Sequence, residues 1–330
     1  MKTQLHCPTP AALRRLAAAL RRGDLVAIPT ETVYGLAANA LDARACRKIF
    51  TAKRRPANDP LIVHVPSLVA AEELAEFNEV ARTLARTFWP GPLTLVLPKK
   101  RCIPGIVTSG QATVALRSPA HALARRLLQL ARVPLAAPSA NPFGYVSPTT
   151  AEHVLAGLRG RIPHVLDGGP CPVGVESTIV DATDPRRLVI LRPGAVSARD
   201  LRIALSKVGL RAMVGTRPRE QVLAPGLLDQ HYSPHTPFAL VTRAPTTAPA
   251  NTALIRWKRP KGGTNRAGEF WLSTRGAAAE AAHRLYAVLR AADKAGLQTI
   301  ICEKAPAGAG ALGEAINDRL RRAAGKRARR

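Results

Sequence analysis

Acidic residues are scarce in this 330-residue chain: 22 Asp and Glu stand against 49 Lys and Arg, a net charge of +27. A field of that sign exceeds what solubility needs and attracts polyanions such as nucleotides, RNA or acidic surfaces, although an arginine-rich surface composition also produces it without any partner. Aromatic residues make up only 4% of the chain, yet 46% of residues are hydrophobic, which builds real cores and excludes a disordered chain. Five cysteines, Cys7, Cys46, Cys102, Cys171 and Cys302, include no CxxC pair. That argues against a disulfide framework and a cysteine zinc site, and it fits a reducing cytoplasm. No run of ~18 apolar residues occurs, and the first charges are not followed by an apolar core of signal-peptide length. A soluble cytoplasmic protein with no membrane span is expected. The chain also lacks GxxxxGK[ST], GxSxG and HExxH. A P-loop NTPase, an elbow-type serine hydrolase and an HExxH metalloprotease are thereby excluded. Any nucleotide here must be held by strand-end hydroxyls and scattered cations, and catalysis would proceed by positioning and electrostatics.

The elements that are present mix without a strict βαβ period. Thr9-Pro10 is an N-cap followed by proline at the first helical position, Leu13, Leu16, Ala17 and Leu20 form one stripe, and Gly23 closes the helix. Strands are predicted at Leu25–Ile28, Leu61–Val65, Leu93–Leu97, Thr113–Arg117, Pro134–Ala137, Val165–Asp167, Thr178–Asp181 and Leu188–Leu191. Helices are predicted from Asp42 to Ala52, over Leu68–Phe77 and Val80–Phe88, and from His121 to Leu130. This reads as a twisted, partly antiparallel α/β sheet with helices packed on it, ending near Leu205. Residues 206–237 are punctuated by proline and read as a linker with extended preferences. A smaller α/β unit follows over 238–330, with strands at Phe238–Val241, Ala253–Ile255, Phe270–Leu272 and Thr299–Cys302. Its helices are Ala277–Ala295 and Ala311–Ala324, and its tail is basic.

Three clusters carry chemical interest. Pro29-Thr30-Glu31-Thr32-Val33-Tyr34-Gly35-Leu36 follows the strand ending at Ile28, and in open α/β sheets ligands gather at strand carboxyl ends. Lys53-Arg54-Arg55 ends a helix before Pro56 and offers a point charge and a planar fork, both suited to phosphate oxygens. Ser139 and Asn141 are two apart, so an extended backbone turns both to one side.

These residues are too particular to be generic. PTETVYGL (29–36), Lys53–Pro56 with PLIVH (60–64), WPGPLT (89–94), TVALRSP (113–119), APSAN (137–141), SPTTAEHV (147–154), ESTIVD (176–181) and LRPG (191–194) occur in order. With APGLLDQHYSPHTP (224–237) and ALGEAINDRLRRAA (311–324), they resemble the YrdC-type threonylcarbamoyl-AMP synthases in their longer two-domain form. The resemblance implies a YrdC-like catalytic domain over 1–205, a linker over 206–237 acting as a lid, and a smaller Rossmann-like domain over 238–330. The implied reaction joins L-threonine, bicarbonate and ATP into threonylcarbamoyl-AMP and pyrophosphate, for transfer by other machinery to tRNA.

Carried over by motif, Lys53, Arg55, Ser139 and Asn141 are the catalytic set, and Thr32, His64, Arg117 and Ser177 hold threonine. Arg55, Asp59, Thr113, Ser139, Asn141, Ser147, Arg192, His231 and Tyr232 hold ATP. Mg2+ is implied on the phosphates, with no metal ligand from protein side chains, as suits an ion that prefers phosphate and water. Asp59 departs from the family's usual asparagine; beside phosphates an aspartate is unfavourable unless it faces magnesium or an arginine. Arg54 reads as a surface residue. The competing class is a non-enzymatic RNA-binding or ribosome-associated protein on the same fold, because the resemblance implies affinity for tRNA or double-stranded RNA and the net charge of +27 favours such a partner.

Overall fold

Thr9 accepts a hydrogen bond from the Ala12 amide at 3.2 Å, Pro10 occupies the first helical turn, and Leu13, Leu16, Ala17 and Leu20 are buried on one side. The first helix therefore starts, faces inward and stops where its caps and stripe dictate. The same logic runs through the computed structural model, which describes residues 1–216, 232–260 and 267–325. The first domain comprises β1 (Gln4–His6), α1 (Pro10–Arg21), β2 (Val26–Ile28), β3 (Gly35–Asn39), α2 (Ala43–Lys53), β4 (Ile62–His64), α3 (Leu68–Glu72), α4 (Glu79–Phe88) and β5 (Leu93–Pro98). It continues with β6 (Thr113–Arg117), α5 (Ala122–Ala131), β7 (Leu135–Ala136), α6 (Ala151–Leu158), β8 (His164–Leu166), β9 (Thr178–Asp184), β10 (Arg187–Arg192), α7 (Ala198–Ser206) and β11 (Met213–Thr216).

Among the described residues these strands form one sheet in the order β1-β8-β2-β3-β7-β4-β6-β5-β9-β10-β11. Parallel pairs such as β4 with β6 alternate with antiparallel ones such as β5 with β6, so the sheet is mixed, as the irregular element order predicts. β11 pairs parallel with β10 although it lies beyond the boundary expected near Leu205, so the first sheet reaches into the segment read as linker. Apolar residues pack on both faces. One cluster joins α2, α4 and α7 to the sheet, and another joins α1 and α5 to β2 and β7.

The second domain consists of β12 (Phe238–Val241), β13 (Thr252–Lys258), β14 (Glu269–Ser273), α8 (Ala278–Lys294), β15 (Thr299–Glu303) and α9 (Gly310–Ala324). Its described strands run parallel in the order β12-β15-β13-β14. Its core does not stop at the domain boundary: Val33, Val146 and Val175 of the first domain pack in the same cluster as Leu285, Leu289 and Ile316.

Gly174 shows how tight that junction is. Its φ is +81°, and a Cβ there would lie 2.4 Å from the Ala282 carbonyl oxygen and 2.5 Å from the His283 Cα, both backbone atoms of α8. Gly174→Ala should therefore cost about 2–4 kcal/mol, combining left-handed strain with overpacking. Thermal unfolding of the full chain measures it, and an unchanged midpoint would mean that this loop does not press on α8.

Candidate active site

A hollow in the first domain gathers the threonine-rich turn, the face of β4, the end of β6, the segment after β7 and the end of β10. Its lining includes Thr30, Thr32, Arg55, Ile62, His64, Arg117, Ser139, Glu176, Arg192 and Tyr232. Thr30 shapes the turn after β2: its Oγ1 accepts from the Thr32 and Val33 amides, both at 3.2 Å, and donates to the Val33 carbonyl at 2.7 Å. A hydroxyl that bonds its own backbone in this way fixes a turn without help from the rest of the chain. Gly35 begins β3 and bridges to Ser139, and a Cβ at Gly35 would come within 3.2 Å of the Ala137 side chain. Glycine thus lets the two hydroxyl-bearing segments approach.

Ile62 and His64 are two apart on β4 and both face the hollow. The β4–β6 register places Arg117 beside His64. Arg117 is buried and donates from Nη1 to Thr32 Oγ1 at 2.9 Å and from Nε to the Gly91 carbonyl at 3.2 Å, while Nη2 lies 2.7 Å from Glu31 Oε1. Burial alone would raise the Glu31 carboxyl, but the Arg117 charge outweighs it and holds the acid below its ordinary value. His64 moves the other way. Burial, helped by the Arg117 charge, pushes it down to about 3. A neutral imidazole thus stands beside a guanidinium, with Nδ1 lacking a hydrogen-bond partner among the described residues.

The Lys53 and Arg55 pair splits into two jobs. Lys53 Nζ donates to the Ser139 carbonyl at 2.5 Å and to the Asn141 carbonyl, so it ties the end of α2 to the Ser139–Asn141 segment and does not line the hollow. Burial, followed by the nearby Arg55 charge, drives its pKa well below that of an ordinary lysine. Arg55 does line the hollow. It bonds the Asp59 and Pro60 carbonyls at 3.0 and 2.8 Å and pairs with Asp59 Oδ2 at 2.8 Å. The aspartate that departs from the family pattern thus faces an arginine. Arg54 is exposed, in the left-handed conformation at the helix end, as expected.

Ser139 and Asn141 part company: Ser139 lines the hollow, whereas Asn141 is buried behind it. The Asn141 amide nitrogen donates to the Pro142 and Tyr145 carbonyls at 2.9 and 2.8 Å, and its Oδ1 has no partner among the described residues. Thr113 starts β6, about 13 Å of strand away from Arg117, and does not line the hollow.

Ser147 and Ser177 sit one step behind the wall. Ser147 Oγ donates to Glu176 Oε1 at 2.7 Å. Ser177 Oγ is shared with Thr94 at 2.8 Å and accepts from Arg192 Nη2 at 3.1 Å. Tyr232 forms part of the wall, while His231 lies outside the described residues. Glu31 and Glu176 were not among the predicted site residues, although both stand inside the quoted motifs PTETVYGL and ESTIVD.

The family Sua5_yciO_yrdC, described as telomere recombination, matches residues 18–194. The chain belongs to the Sua5/YciO/YrdC family. The family described as threonylcarbamoyl-AMP synthase, C-terminal domain, matches residues 196–325 of this Sua5/YciO/YrdC member. A Pyrococcus abyssi relative named threonylcarbamoyl-AMP synthase is 40% identical over 326 residues, covering 96% of this chain and 94% of the relative. A Bacillus subtilis relative of the same name is 43% identical over 235 residues, covering 71% of this chain and 67% of the relative. The crystal structure of P. abyssi Sua5 complexed with L-threonine superposes with a TM-score of 0.85 at 36% identity, covering 98% of each chain. Escherichia coli YciO, with a TM-score of 0.54 at 20% identity over 60% of this chain and 99% of its own, shares the fold of the first domain.

His64 gives this family member's site a pH signature. Its folded pKa of about 3 lies below the ordinary 6.5, so the unfolded chain binds the extra proton as pH falls. Stability from the neutral imidazole is complete above about pH 6.5 and is lost on acidification toward about pH 3, at up to ~1.4 kcal/mol per pH unit. Urea unfolding at several pH values should show a shallower decline for His64→Gln than for the wild type. Parallel declines would mean that His64 is not held neutral.

Proposed function

We propose that the protein is an L-threonylcarbamoyladenylate synthase, a nucleotidyltransferase that joins L-threonine, bicarbonate and ATP. The observation that carries this reading is one hollow shared by Thr32, His64 and Arg117 with Arg55, Ser139 and Arg192. The names borne by its full-length relatives support it. Arg117 holds the threonine carboxylate by the bidentate pairing that guanidinium favours, with Thr32 and neutral His64 beside it. The amine nitrogen bonds to the carbon of bicarbonate, water leaves, and a carbamate results. A carbamate oxygen then attacks the α-phosphorus in line, and pyrophosphate departs with the electrons of the broken bridge.

Arg55 and Arg192 stabilise charge where it develops on the phosphates. Lys53 keeps the Ser139–Asn141 segment against Arg55, so its share in catalysis is to hold the pocket's shape. Ser139 supplies a polar contact for the nucleotide on this reading, and Asn141 and Ser147 back the wall through the Tyr145 carbonyl and Glu176. Glu31, Asp59 and Glu176 each face an arginine. Mg2+ bound with ATP would therefore draw its ligands mainly from phosphate and water, and would supply charge neutralisation there. Tyr232, in the segment 206–237, lines the hollow and supports a covering role for that part of the linker, which would keep water from the mixed anhydride.

Delivery to a tRNA threonylcarbamoyl-transfer machinery and contact with tRNA or double-stranded RNA complete the proposal. The groove between α1 and α5, lined by Arg14, Arg21, Arg126 and Arg132 without an acid, supports an RNA contact. No helix among the described residues is long and apolar enough to cross a membrane.

Pyrophosphate release from ATP should require both threonine and bicarbonate; release without either, or none at all, would overturn the assignment. Arg117→Ala should raise the threonine KM roughly 10- to 100-fold, the worth of a charge-assisted bidentate contact. Arg55→Ala should lower kcat by about 10²-fold or more. Both are read from steady-state kinetics with each substrate varied in turn, and near-normal constants would move the site elsewhere.

A further inference from the structure

The wall of the hollow at Glu176 is finished by the second domain. Glu176 Oε1 accepts from Ser147 Oγ at 2.7 Å, and Oε2 accepts from Tyr286 OH at 2.8 Å and Arg319 Nε at 3.0 Å. Tyr286 belongs to α8 and Arg319 to α9. Arg319 is fully buried, and its remaining N–H groups reach the Pro193 carbonyl at 2.6 Å, Asp318 Oδ2 at 3.1 Å and the Glu176 carbonyl at 3.3 Å. One guanidinium therefore pins the residue before Ser177 and the residue after Arg192. Arg192 closes the loop by donating to the Ser177 carbonyl and hydroxyl, each at 3.1 Å. Tyr232 stacks on Tyr286 at 5.8 Å and faces the Arg319 guanidinium at 5.7 Å.

A carboxylate in the wall of a triphosphate pocket repels its ligand unless a cation cancels it. Removing one member of a buried pair costs more than the pair is worth, because the other charge is stranded. Burial works to neutralise Glu176, yet the Arg319 and Arg192 charges keep it ionised. Asp318, beside Arg319, is also paired with Arg322 at 3.0 Å, so it does not depend on Arg319 alone.

We propose that Arg319, with Tyr286, is a positioning residue of the nucleotide half of the site: it cancels the Glu176 charge and locks the Ser147 and Arg192 walls for an anionic ligand. The inference rests on the synthase reading of the hollow. It makes the second domain a working part of the pocket.

The test uses the full chain, with ATP and threonine varied separately and ATP binding followed by calorimetry. Arg319→Met should raise the ATP KM at least about tenfold while leaving the threonine KM within about twofold. The double variant Arg319→Met/Glu176→Gln, which carries neither charge, should recover most of the ATP affinity. If Arg319→Met alone does not fold by circular dichroism, the double variant and Arg319→Lys carry the test, and both should bind ATP within about tenfold of the wild type. An equal rise in both KM values, or no recovery in the folded double variant, overturns the proposal. A wild-type protein that neither binds ATP nor releases pyrophosphate overturns the synthase reading and the inference with it. A competent wild type with a failed rescue removes the inference alone.

Discussion

A guanidinium taken out of water must find a carboxylate or a set of carbonyls, and that requirement shapes the hollow. Lys53, Arg55, Arg117, Arg192, Arg290, Arg319 and Arg322 are all buried. Around the hollow their partners lie in the loops between elements: Asp59 and Pro60 after α2, Glu31 and Thr32 after β2, Glu176 and Ser177 before β9, whereas Arg322 pairs with Asp318 within α9. Loops this short on regular structure would otherwise be the soft parts of the fold. Tied to buried cations, they become walls. The arrangement is energetically conditional, because the same low dielectric that strengthens a complete pair makes a broken one costly.

The two domains are joined by the same means and by apolar contact. Arg290 of α8 bonds the Val146 carbonyl, lies over the Tyr145 ring at 4.8 Å and so reaches the segment that carries Ser147. Tyr145 in turn donates to Asp293 at 2.9 Å and stacks on His235 at 4.5 Å. Val33, Val146 and Val175 are the apolar counterpart, buried in the core of the second domain. Residues on either side of the hollow thus have their rear surfaces covered by α8 and α9. A domain that contributes rear packing constrains the front geometry, because a close-packed interior transmits displacement.

Where local chemistry is strong, the elements were legible: the predicted strands Thr113–Arg117 and Phe238–Val241 stand at those residues, and Thr9, Asp42 and His121 cap helices as read or as the first residue of the reading. β1 and β3 escaped because Gln-Leu-His and Gly-Leu-Ala-Ala-Asn carry little strand propensity, and β11 because Met-Val-Gly-Thr is short and interrupted by glycine; pairing with neighbours creates them. The helix expected over Leu68–Phe77 ends at Glu72, and Ala75 instead bridges to Lys99. One glycine run, Gly308-Ala309-Gly310-Ala311-Leu312-Gly313, has dinucleotide-loop spacing between β15 and α9. There Asn317 clamps Ala305 through both backbone groups, a packing role for the turn. In the site, residue types were legible from the motifs but orientations were not. Nothing in KxR says that the lysine turns to carbonyls while the arginine lines the hollow. Nothing local links Glu176 to Arg319, 143 residues away.

The net charge of +27 and the paired charges around the hollow act at different distances. Exposed arginines such as those along α1 and α5 set a field that salt screens within about 10 Å, which raises the local concentration of any anion without choosing among them. Selection requires groups that water cannot replace. Arg117 holds Thr32 and Glu31, Arg55 holds Asp59, and Arg319 holds Glu176, so each guanidinium is already oriented and largely desolvated. Such a group loses little further entropy or hydration when a ligand arrives, which is the condition under which fixed charge discriminates geometry as well as sign. The surface field can vary with little consequence for the chemistry; the interior pairs cannot, since each one holds a loop that another pair completes.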